Sequence, residues 1–122
     1  MASRALQTIM KTTFPDRTFQ LWEYRVTHGS LLIRSPMGLE VPTNIDLVCV
    51  GVEYLAAPRH MRGLDLVDAT VDEIKTLRDL LGKDVQPSSV RVVVSEGHRF
   101  PIVAANFKIS ENQHDIFHSP FS

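Results

Sequence analysis

The chain has 122 residues, enough for one ordinary domain whose core needs neither disulfide nor metal. Hydrophobic residues make up 43% and charged residues 22%, proportions that exclude wholesale disorder. Thirteen basic residues against fourteen acidic ones give a net charge of −1, which removes the electrostatic basis for binding duplex nucleic acid.

The single cysteine, Cys49, cannot form an internal disulfide and fits a reducing compartment. No apolar run reaches the roughly 20 residues that span a bilayer. The stretch from Met1 to Phe14 carries Arg4 and Lys11 without the apolar block of a signal peptide. These features lead to the expectation of a soluble cytoplasmic protein with no membrane partner.

In chain order, residues 1–17 read as a mobile or weakly helical lead-in, with Pro15-Asp16 marking the start of a single domain over 18–122. Phe19 to Val26 and Leu31 to Ile33 are strand formers separated by His28-Gly29, the pattern of a hairpin. A two-residue turn there sets Val26 against Leu31, Tyr24 against Ile33 and Trp22 against Ser35. That register stacks Trp22, Tyr24, Val26, Leu31 and Ile33 on one face and sets Glu23 against Arg34 on the other. A longer loop is the alternative, since His28 suits a positive φ less well than Asn or Asp.

Asn44 to Leu55 alternates with both sets largely apolar, as a central strand does. Ile45, Leu47 and Cys49 point one way; Val48, Val50, Val52 and Tyr54 point the other. Gly51 in its middle predicts a bulge or a close approach by another backbone. Ala56 to Arg62 reads as a polar loop and Leu64 to Val67 as a short strand. Thr70-Val71-Asp72-Glu73 is a capping box, and Val71, Ile74, Leu77, Leu80 and Leu81 make one apolar helical face that Gly82 ends. Ser88–Val94 and Phe100–Ile109 predict two more strands joined around Glu96-Gly97-His98, with Pro101 favouring an edge or a bulge. Ser110 to Gln113 is a second capping box and predicts a short C-terminal helix. The sum is an α+β domain: a largely antiparallel sheet of about five or six strands, with one main amphipathic helix on one face.

Candidate sites follow from residue types. Arg59-His60-Met61-Arg62 is the most concentrated basic feature, and guanidinium forks suit carboxylate or phosphate. The competing reading is a solvated loop whose arginines pair with Glu53, Asp65 or Asp68. Trp22 and Tyr24 extend the candidate contact surface if the helix leaves them uncovered. His28 and His98 fall at turns, and with His60 they form an alternative acid–base set. Glu111, His114 and His118 have the spacing of three metal ligands on one helical face. Cys49 reads as a core residue, and no nucleophile stands beside a base at a recognisable spacing.

No motif specific to a characterised family is present. The Trp22-x-Tyr24 hairpin and the Asn44-Ile45-Asp46 start of the long strand have the look of some bacterial family, which brings no activity with it. The expected function is a small non-catalytic binding or protein-interaction module. Its contact surface would be the Arg59–Arg62 loop with the 19–35 hairpin, and its partner a protein, a small anionic ligand or a second copy of the chain. No cofactor is expected. The alternative is a small enzyme acting on an anionic substrate through His28, His60 and His98.

Overall fold

Period-two alternation dominates the computed structural model, which describes residues 11–121. Leu31 and Ile33 on β2 (Ser30–Ser35) turn into one apolar interior, as do Ile45, Leu47 and Cys49 on β3 (Asn44–Val50). Phe14 and Phe19 of β1 (Thr13–Arg25) join them, with Met61 and Leu64 of β5 (His60–Asp68). Val93 of β6 (Val90–Ser95), Ile102 of β7 (His98–Val103) and Ile109 of β8 (Asn106–Asn112) complete this core. With the two-residue β4 (Tyr54–Leu55), these strands form one antiparallel sheet in the order β4-β7-β6-β5-β1-β2-β3-β8.

The two ends of that order belong to one ribbon. β3 runs into β4 through residues 51–53, and β7 into β8 through residues 104–105. The Glu53 N–H donates to the Val103 carbonyl (2.8 Å) and the Ala105 N–H to the Val50 carbonyl (3.0 Å), so the sheet closes on itself around the core. Beyond this junction β8 pairs only with β3, and its other side meets no strand among the described residues. Gly51 sits at the bend with φ +71°, where a Cβ would lie 3.0 Å from the Ala105 Cβ. The close approach expected at Gly51 is therefore made by the β7–β8 junction.

Several expectations shift. β1 begins at Thr13, so residues 13–17 belong to the sheet and Phe14 to the core; residues 1–10 of the expected lead-in lie outside the described residues. The strand count rises above five or six because the bend at Gly51 and residues 104–105 divides each of two long strands. Residues 60–62 are strand, not loop, since Met61 is needed inside. The short C-terminal helix is absent, because pairing of β8 with β3 continues to Asn112 and overrides the local cap.

The hairpin register also differs. A 3-10 turn over Val26–His28 precedes Gly29, which takes the positive φ of 59° that His28 does not adopt. Arg25 then faces Ser30, Tyr24 faces Leu31, Leu21 faces Ile33 and Gln20 faces Arg34. Trp22 is the extra residue of a bulge between Leu21 and Glu23. It leaves the inward stack for the outer face, where the Arg34 guanidinium lies 5.4 Å from its ring centre. Val26 is 83% exposed.

The helix, α1 (Val71–Leu81), forms as its capping box predicts. Thr70 Oγ1 accepts from the Glu73 N–H (3.1 Å), Glu73 Oε1 accepts from the Thr70 N–H (2.9 Å), and Gly82 ends the helix at φ 68°. Leu77 packs with Val85, Val90 and Val103 on the outside of the sheet. Val71 and Leu80 stay exposed, because a straight helix meets a convex sheet along a narrow stripe. Arg99 on β7 clamps the helix start through two 2.9 Å bonds to the Glu73 carboxylate. Those bonds, with the Thr70 amide, outweigh burial and hold the Glu73 carboxyl at about 2 against an ordinary value of 4.5. A depressed folded-state value makes the clamp fully stabilising above the unfolded value and lost as pH falls towards about 2. Glu73→Gln keeps the capping geometry and removes the charge. The expected outcome is a variant with a lower melting temperature than wild type at neutral pH, the difference vanishing on acidification from about 4.5 to about 2; thermal unfolding across that range checks it.

Candidate functional site

On a closed sheet the outward positions of each strand face solvent and are ordinarily polar and exposed. Arg34, Asn44, Asp46 and Asn112 hold outward positions of β2, β3 and β8 that are polar and yet buried, whereas Asn106 and Lys108 on β8 are exposed and Leu32 on β2 is apolar. Arg34 is fully buried and Asp46, its cross-strand partner, is 2% exposed. Arg34 Nε donates to Asp46 Oδ1 (2.7 Å) and Nη2 to Oδ2 (3.0 Å). Asn112 Nδ2 donates to Asp46 Oδ2 (2.9 Å) and to Ser110 Oγ (3.3 Å). Asn44 Nδ2 donates to Asn112 Oδ1 and to the His114 carbonyl, both at 2.8 Å. Arg34 Nη1 is buried and has no hydrogen-bond partner among the described residues.

The chain after β8 folds back over this array. The His114 N–H donates to Asn112 Oδ1 (3.1 Å), the Phe117 N–H to Asp115 Oδ1 (2.8 Å) and the His118 N–H to the Asp115 carbonyl (2.9 Å). This one turn stacks the His114 and His118 rings with centroids 4.1 Å apart. Further along, Ser119 Oγ accepts from Arg25 Nη2 (3.3 Å), and the Phe121 carbonyl accepts from Arg25 Nη1 (3.2 Å). Glu23 beside them lies below its ordinary value: burial opposes this, but bonds from Arg25 and Ser119 and the nearby Arg34 charge prevail. Between the segment and the sheet is a cleft of about 310 Å³ lined by Asp46, Val48, Lys108, Ser110, Asn112, His114, His118 and Pro120. Asp46 is largely satisfied by Arg34 and Asn112, so the groups left to a ligand are the Lys108 ammonium, which only donates, and the Ser110 hydroxyl and two imidazoles, which can donate or accept.

The residues singled out from sequence fall elsewhere or in other roles. Arg59, His60 and Arg62 are exposed and Met61 is buried, so His60 and Arg62 lie on the outer face of β5 and Arg59 stands exposed just before the strand. The acids thought to neutralise them are engaged otherwise: Glu53 by Lys83, Asp65 by the Thr13 hydroxyl and Asp68 by Arg91. Neither Arg59 nor Arg62 makes an ion pair among the described residues. Arg62 also lines an open groove of about 340 Å³ with Thr13, Pro15 and Glu96. His28 lies in the β1–β2 turn, His60 opens β5 and His98 opens β7, stacked on Phe100; none of them lines either cleft.

Glu111, His114 and His118 do not share a helical face. Glu111 accepts from the Thr43 hydroxyl on the opposite side of β8 from Asn112, and no group of three metal-ligand side chains forms among the described residues. Tyr24 is half-exposed, and Trp22 lies over Arg34. Cys49 is buried, and burial pushes its thiol up to about 12. Comparison with protein-family models, curated proteins and solved structures finds no match.

Removing one partner of a buried ion pair leaves an uncompensated charge at a cost of about 3–5 kcal/mol, whereas replacing both by apolar groups of similar volume is often neutral. Asp46→Ala is therefore expected to lose stability on that scale in urea denaturation. Arg34→Met with Asp46→Leu is expected to recover most of the loss.

Proposed function

We propose that the protein is a non-catalytic binding module for a small anionic ligand held in the cleft between β8 and the C-terminal segment. The observation that carries this reading is the buried polar array beneath the cleft. Apolar residues would pack the outer face of β2, β3 and β8 at no cost in desolvation, yet Arg34, Asp46, Asn44 and Asn112 occupy it. They fix the floor of a cavity whose open groups include one full cation, Lys108, beside a hydroxyl and two imidazoles that can donate. The absence of a catalytic role rests on Cys49, whose thiol is held neutral in the core, and on His28, His60 and His98 standing on separate elements.

Ligand at about 100 times its Kd stabilises a folded protein by about 2.7 kcal/mol. A panel of inorganic phosphate, citrate and acetate is expected to include an anion that raises the melting temperature of wild type. Lys108→Ala should abolish that rise while keeping the ligand-free melting temperature. An equal response in Lys108→Ala, or no response to any of the three, would defeat the proposal.

A second reading concerns the start of β5, where Arg59 and Arg62 make no ion pair among the described residues: a docking surface for an acidic protein partner. Arg59→Ala with Arg62→Ala is expected to abolish binding of polyglutamate at low salt with no change in melting temperature. Undiminished binding by the double variant would remove this surface from consideration.

A further inference from the structure

Backbone alternation leaves the start of β5 with a neighbour on one side only. In an antiparallel ladder successive residues turn their N–H and C=O groups to opposite sides. The Leu21 N–H donates to the Arg59 carbonyl (2.9 Å), and the register continues with Gln20 facing His60, Phe19 facing Met61 and Thr18 facing Arg62. Arg59 and Met61 therefore bond β1, and the backbone groups of His60 and Arg62 turn to the other side. There β6 pairs with β5 only from Asp65 to Asp68. Ser95 Oγ donates to the Arg62 carbonyl (2.9 Å), but the Arg62 N–H and both backbone groups of His60 have no strand to bond among the described residues. Both residues are exposed, so in the free protein water serves these groups.

The charges along this edge are graded. Arg59 and Arg62 make no ion pair among the described residues. Beyond Arg62 the groove of about 340 Å³ runs on between Pro15 and Glu96, and Asp65 in its lining accepts from the Thr13 hydroxyl. A second copy of the chain is a poor occupant. Because β6 covers β5 from Asp65 onward, two such edges can meet only over residues 59–62, which sets Arg62 of each copy against the basic end of the other. An acidic strand meets no such repulsion.

We infer that the free edge of β5 at residues 60–62 takes an extended acidic peptide as an added strand, antiparallel to β5 and in line with β6. This rests on the second reading above, the docking of an acidic protein partner, and adds the form in which the partner's segment is held. Main-chain bonds to His60 and Arg62 supply affinity whatever the sequence, and alternate side chains supply the choice. The peptide residues opposite His60 and Arg62 share the outer face with them, so acids belong there, within reach of the guanidinium groups of Arg59 and Arg62. Small or β-branched residues belong between the acids, on the side to which Met61 turns.

The probe is an acetylated and amidated pentapeptide of alternating Glu and Thr with Glu at both ends, at low ionic strength. Amide–water exchange measured by NMR reports the edge directly. In the free protein the Met61 N–H is expected to exchange slowly and the His60 and Arg62 N–H groups quickly. With about nine-tenths of the protein bound, the two fast amides should slow about tenfold and Met61 should be unchanged. The same peptide methylated on the nitrogen of every Glu keeps its charge and lacks the donors facing β5, and it is expected to bind at least about tenfold more weakly. A Lys–Thr peptide of the same length is expected not to bind.

Binding that leaves His60 and Arg62 exchanging as before, or equal affinity for the methylated peptide, would overturn strand addition and leave the arginine side chains alone as the docking surface. Equal slowing by the Lys–Thr peptide, or in Arg59→Ala with Arg62→Ala, would overturn the acidic character of the partner. Slow exchange of His60 and Arg62 in the free protein would overturn the free edge, and slowing that grows with a concentration-dependent dimer would put a second copy there. No binding at about 1 mM peptide would reject both strand addition and the docking reading beneath it.

Discussion

A guanidinium and a carboxylate buried side by side on the outside of a sheet set the terms for much of this structure. Arg34 and Asp46 face one another across β2 and β3, and both are buried. Such a pair is costly unless further hydrogen bonds satisfy its remaining polar atoms, and here all but Arg34 Nη1 find partners among the described residues. Asn112 is drawn onto Asp46, Asn44 onto Asn112, and the His114 carbonyl onto Asn44. The fold-back of the C-terminal segment thus follows from the needs of one ion pair. Trp22 belongs to the same account: the bulge that carries it outward lays its ring over the Arg34 guanidinium, a face that stacks well on an aromatic surface.

The interior obeys a different rule. Strand alternation sends one set of side chains inward, and closure of the ribbon between residues 44–56 and 101–112 gathers them into one core. Pro101 is accommodated because its carbonyl is bonded by the Ala56 N–H just where β4 ends, so the donor it lacks falls beyond a short strand. The Glu96-Gly97 turn has both residues at positive φ, 49° and 79°, the geometry that a tight hairpin between twisted strands demands. Polar demands outside and apolar demands inside therefore act on alternate residues of the same strands.

This division explains what could be read from the sequence. The Thr70–Glu73 capping box, the alternation of Ile45, Leu47 and Cys49, and the close approach at Gly51 were legible because each depends on a few neighbouring residues or on one residue's conformational freedom. The hairpin register was not, since the bulge at Trp22 adds a residue that leaves the hydrophobic pattern looking intact. The second capping box misled because pairing of Asn112 with Asn44 stabilises strand where local preference favours helix. The cleft was illegible as a site: residues 34, 46, 108–112 and 114–118 meet only in three dimensions. Its one sequence signal was the polar set Asn44 and Asp46 alternating with core residues, together with the spacing of His114 and His118. That spacing brought the rings together, through a turn and not a helix.

The position of β8 at the end of the ladder has a consequence for the protein in concentrated solution. With a partner strand on one side only among the described residues, β8 offers a row of backbone donors and acceptors onto which another chain's strand can add. Lys108 stands in the middle of that row, and a like charge on each of two approaching copies discourages them from zipping together. The residue proposed to hold a ligand is then also placed to guard against self-association, and a neutral side chain there would remove that guard.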